Sequence, residues 1–61
     1  MDVSLEQQVK CARRELAMRR GAYPRFVAHG KMKQAKADEE IAAMEAILAT
    51  LERLEQAERL L

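Results

Sequence analysis

From Gln34 to Leu61 the chain reads QAKADEEIAAMEAILATLERLEQAERLL, a stretch without Gly or Pro. Ala, Glu, Leu, Lys, Gln and Arg dominate it, and all are strong helix formers, so the segment reads as one long helix, about 34–60. At about 100° per residue, Ala37, Ile41, Met44, Ile47, Leu48, Leu51 and Leu54 fill an arc of roughly 140°, wider than one neighbouring helix covers. The fold is therefore all-α, and this helix has to pack against more than one surface.

Working back towards the N-terminus, the next signals are Pro24 and Gly30. Gly30 stops a helical turn and Pro24 suits the first position of one, so residues 24–29 read as a short elbow turn. Before it, Ser4-Leu5-Glu6-Gln7 has the S-x-x-Q form of a capping box, which starts a helix at Leu5. Leu5, Val9, Ala12 and Leu16 follow at spacings of four, three and four, one apolar stripe that Tyr23 rejoins after Arg19 interrupts it. Gly21 and the residue preceding Pro24 are poor helix positions, so this first helix is expected over about 5–21. The whole reads as a single antiparallel helical hairpin over 1–61, with Phe26 and Val27 plugging its closed end. The second helix should outrun the first by roughly eight residues.

A chain of 61 residues has little core to offer. Domains this short bury only about 60% of their unfolded surface, and disulfides, a metal or association usually make up the deficit. Cys11 is the only cysteine and His29 the only histidine, too few for an internal disulfide or a zinc site, so Cys11 reads as a buried, reduced thiol. Association remains, as a homo-oligomeric bundle, a dimer or higher. The surplus of apolar arc places Ile47, Leu48, Leu51 and Leu54 at its interface.

Ser4 and Thr50 are the only aliphatic hydroxyls, and neither is accompanied by a base and an orienting group, so catalysis is not expected and no cofactor is implied. No apolar run reaches the roughly 18 residues of a membrane span, and Met1-Asp2-Val3-Ser4 lacks the features of a signal peptide, which points to a cytoplasmic protein.

The net charge of +1 hides an asymmetry. Nine basic residues from Lys10 to Lys36 face the single acid Glu15, a local charge of +8, whereas Ala37 to Leu61 carries seven acids against Arg53 and Arg59, a local charge of −5. At the elbow, Arg19, Arg20, Arg25, Lys31 and Lys33 gather around Tyr23 and His29, with only distant acids expected to neutralise them. Guanidinium and ammonium groups supply phosphate donors, Tyr23 offers a face for a base, and the start of the second helix adds free N–H groups. Arg19, Arg20, Tyr23, Arg25, His29, Lys31 and Lys33 are therefore the candidate ligand-binding residues. Lys31 after Gly30 is not a P-loop, since G-x-x-x-x-G-K-S/T is absent.

Arg20, Tyr23-Pro24-Arg25, Val27 and Gly30-Lys31-Met32, followed by Ala37, Glu40-Ile41, Met44 and Ala46-Ile47, compose a pattern R-x-x-Y-P-R-x-V-x-x-G-[KR]-M…A-x-x-E-I-x-x-M-x-A-I. It resembles that of small accessory proteins encoded in phages and prophages, over about two thirds of the chain. Phe26 stands where the pattern often has Trp, and Lys33 where it has Ser or Thr. A hydroxyl there caps the second helix and Lys33 cannot. The resemblance implies a phage accessory product, and together with the charge layout it leads to the expectation of a non-catalytic protein that binds and neutralises a component of its host's cytoplasm. The target is expected to be either a host protein or an anionic nucleotide-type molecule on which the elbows of several protomers converge. Nucleic-acid binding through the basic face of the first helix is the alternative, disfavoured by the acidic half of the chain.

Overall fold

The computed structural model describes all 61 residues, as two helices, α1 (Leu5–Ala28) and α2 (Gln34–Arg59), folded back on each other as an antiparallel hairpin of 47 × 20 × 16 Å. α1 starts where the capping box sets it: Gln7 N–H donates to Ser4 Oγ at 3.1 Å, and Ser4 N–H donates to Gln7 Oε1 at 3.0 Å. Val9, Ala12 and Leu16 of α1 and Ala37 and Met44 of α2 are buried, with Ile41, Leu48 and Leu51 packed around the Ala12, Leu16 and Met44 cluster.

α1 does not end near residue 21. It continues through Gly21 and Pro24 to Ala28, so the span expected as an elbow turn, 24–29, is mostly the last turns of α1, and the chain reverses over residues 29–33. Pro24 removes one N–H from the ladder, the one that would meet the carbonyl of Arg20, and a single lost bond is tolerable when the flanking turns are anchored. Tyr23 and Val27 are those anchors, half-buried at spacings that prolong the Leu16 stripe. Phe26 is turned further out, 39% exposed, and only Val27 contributes to closing the hairpin end.

Gly30 fixes the true end. With φ of 71° it takes the left-handed conformation, Gly30 N–H donates to the Val27 carbonyl at 3.0 Å and Lys31 N–H to the Phe26 carbonyl at 2.8 Å. These are the paired bonds of a Schellman motif, which satisfies the carbonyls that a helix C-terminus leaves free. α2 then begins at Gln34 behind Lys33, whose side chain forms no cap.

Two further expectations change. The helices have 24 and 26 residues, so the overhang of about eight shrinks to two and no longer argues for a partner. Cys11 is exposed, because it lies about 100° round α1 from Ala12 and off the core stripe. The apolar surplus on α2 persists in part: Leu48 and Leu51 pack against α1, whereas Ile47 and Leu54 are 50% and 52% exposed. No helix is long and apolar enough to cross a membrane.

Candidate functional site

Extension of α1 to Ala28 divides the seven candidate residues between the shank and the tip of the hairpin. Arg19 and Arg20 lie on the shank, and α2 supplies the acids that the sequence had placed far away. Arg20 Nη2 lies 2.6 Å from Glu45 Oε2. Arg19 is enclosed further, its side chain only 21% exposed: Nε donates to Glu15 Oε1 at 2.9 Å, and Nη1 donates to the backbone carbonyl of Glu40 at 2.8 Å with Glu40 Oε2 at 3.7 Å. These contacts push the Arg19 guanidinium pKa up, first through the hydrogen bond to Glu15. Both arginines serve the join between the helices, and Arg13, 2.8 Å from Glu52, does the same further from the tip.

Lys36 closes the shank network by bonding Glu40 Oε1 at 2.9 Å. The hydrogen bond from Lys36, then its charge and that of Arg19, hold the Glu40 carboxyl below the usual carboxylate range. The same bond raises Lys36. Glu15 was legible as a partner of Arg19 from its i, i+4 spacing, and Glu40 and Glu45 were not, since they depend on the register of the hairpin.

The tip is different. Arg25, His29, Lys31 and Lys33 are exposed, and none has an acidic group within ion-pair distance. Arg25 and His29 stand at the C-terminal end of α1 and Lys31 and Lys33 in the reversal that leads into α2, where the backbone N–H groups of Gln34, Ala35 and Lys36 make no hydrogen bond within the protein and no acid sits in the first turn. Cationic side chains and the positive end of the α2 dipole therefore reinforce each other at one place. Tyr23 is half-buried beside it, its ring centroid 6.1 Å from that of Phe26 with the planes inclined by 33°. With Met18, Ala22 and Arg19, the two rings border a shallow hollow on the α1 side of the tip.

No group of His, Cys, Asp and Glu is arranged to hold a metal ion. The tip combines hydrogen-bond donors and positive charge with a neighbouring aromatic surface. Compared with protein-family models, curated proteins and solved structures, the chain matches none.

Proposed function

We propose that the protein is a non-catalytic phage accessory protein that works as a homo-oligomer and neutralises a host component by capturing an anionic, phosphate-bearing small molecule at the hairpin tip. One observation carries this reading. The shank arginines Arg13, Arg19 and Arg20 are matched with α2 acids, while Arg25, His29, Lys31 and Lys33, at the end of α1 and in the reversal before α2, are exposed and have no acidic partner. The three cations Arg25, Lys31 and Lys33 at one end of the hairpin repel one another, which a bound phosphate relieves. Arg25 and the two lysines are assigned to the phosphate oxygens and the exposed edge of Tyr23 to a base.

The test is thermal melting of the protein with a panel of cyclic and linear nucleotides and with inorganic phosphate alone. A ligand at about 100 times its Kd raises stability by about 2.7 kcal/mol, which a domain of this size shows as a shift of roughly 10 to 20 °C. No shift with any of them at millimolar concentration rules the reading out, and a shift with phosphate alone restricts it to the phosphate.

A host protein as target draws on a separate observation, the exposure of Ile47 and Leu54 on α2, which suits an apolar groove in a partner. The nucleic-acid alternative draws less support, because Arg13 and Arg20 of the basic α1 face are already bridged to Glu52 and Glu45.

A further inference from the structure

The hairpin has two unlike faces. On one, Arg13–Glu52 and Arg20–Glu45 bridge the helices. About 160° round α2 from Glu45 and Glu52 stand Ile47 and Leu54, both half exposed. They belong to a second seam on α2, Ala43, Ile47, Thr50, Leu54 and Ala57, spaced four, three, four and three, which is the repeat of helices that pack along their length. None of the five carries a charge. Thr50, the one polar member, donates its hydroxyl to the Ala46 carbonyl at 3.0 Å and accepts from Arg53 Nη2 at 3.3 Å, so both of its bonds stay within α2.

We infer that this seam is covered by a second copy of the chain, running antiparallel, in a two-fold dimer centred near Thr50. The seam reads almost the same in both directions, with Ala43 and Ala57 outermost and Ile47 and Leu54 between. About a centre near residue 50, each Ile47 therefore meets Leu54 of the second copy, and each Ala43 meets its Ala57, as an isologous interface requires. Charge selects the orientation. Side by side in parallel, two acidic distal segments with Glu52, Glu55 and Glu58 would lie together, and so would two basic tips. The antiparallel pair separates both sets of like charges.

The surface is large for the mass. A compact chain of 7.0 kDa exposes about 4000 Å². This one, drawn out to 47 × 20 × 16 Å, exposes 4820 Å². Only five of 61 residues are buried within the monomer, which leaves it the core deficit that association would supply.

This dimer deepens the oligomeric part of the proposed function and changes one element of it. The tips project at opposite ends, the start of each α2 about 24 Å from the two-fold axis at 1.5 Å per residue, so every tip binds its anion alone and the elbows do not converge.

The experiment combines oligomeric state with orientation. Sedimentation equilibrium of the intact chain at micromolar concentration is expected to give a dimer, and Leu54→Glu to weaken it about 100-fold or more, because it buries an unpaired carboxylate. Orientation is read by oxidative cross-linking in the Cys11→Ser background. Thr50→Cys, beside the axis, is expected to form a covalent dimer rapidly, whereas Ala43→Cys, opposite Ala57, is not. Equal cross-linking at both positions shows a parallel pair and overturns the inference. So does an intact chain that stays monomeric, which leaves the seam to another protein. The nucleotide-induced shift in melting is independent of either result, so the two proposals fail separately.

Discussion

Arg19 of α1 donates through Nη1 to the backbone carbonyl of Glu40 in α2, 2.8 Å away, while its Nε holds Glu15 of its own helix. It is the only side chain of the hairpin that bonds to the main chain of the opposite helix, so it fixes the depth at which one helix sits against the other as well as neutralising charge. Arg19→Ala should therefore lower the melting temperature more than Arg13→Ala, which removes an exposed pair of a kind worth about 0 to 1 kcal/mol. Arg19→Lys should recover little, since a single ammonium cannot hold Glu15 and the Glu40 carbonyl in two fixed directions. Equal melting temperatures for Arg19→Ala and Arg13→Ala count against the positioning role.

The Lys36–Glu40 pair gives a pH dependence of definite sign. Glu40 is held below its unfolded value of about 4.3, so its contribution is complete above that pH and disappears as the pH falls through the folded value. Lys36 is raised, so its contribution is complete below its unfolded value of about 10.4 and disappears as the pH rises through the folded one. Melting temperature measured against pH should be level between these limits. Glu40→Gln should lower that level and flatten the acid limb, and an acid limb unchanged by the substitution assigns it to other carboxylates.

Lys33 allows a prediction in which stability and binding move in opposite directions. It stands at the N-cap of α2 without forming a cap, so Lys33→Ser should stabilise the protein by about 0.5 to 2 kcal/mol by bonding a free N–H of the first turn. The same change removes a charge from the tip and should weaken the nucleotide-induced shift. Calorimetry with and without ligand measures both, and a stabilised protein with undiminished ligand response removes Lys33 from the site.

Pro24 is exposed, and its ring interrupts the ladder of α1 within the last turns. Pro24→Ala should raise stability by on the order of 1 to 3 kcal/mol, the lower end if α1 has already adjusted around the ring. A loss of stability instead means that the proline stiffens the approach to Gly30 more than it weakens the helix.

These residues also show which parts of the structure are legible in a single sequence. Ser4 with Gln7, the stop at Gly30 and the missing cap at Lys33 were readable because each is settled by bonds within a few residues. The end of α1 was misplaced because Gly21 and Pro24 are unfavourable locally, and the partial burial of Tyr23 and Val27 on the continued apolar stripe outweighs them. The site was readable in composition and not in arrangement. The basic residues around the elbow are plain, yet only the hairpin register shows that Glu40 and Glu45 engage Arg19 and Arg20, leaving Arg25, His29, Lys31 and Lys33 at the tip. Register likewise assigns Leu48 and Leu51 to the hairpin and leaves Ile47 and Leu54 outside.

The reversal at residues 29–33 lies beyond every salt bridge between the helices. Within it the left-handed backbone reserves one position for Gly30, and Met32 is half-buried. His29, Lys31 and Lys33 remain, three side chains that neither packing nor backbone geometry dictates. Under the proposed function, such a tip is a replaceable key on a constant handle: exchanging those three residues would redirect the protein towards a different molecule while the helices that carry them fold as before.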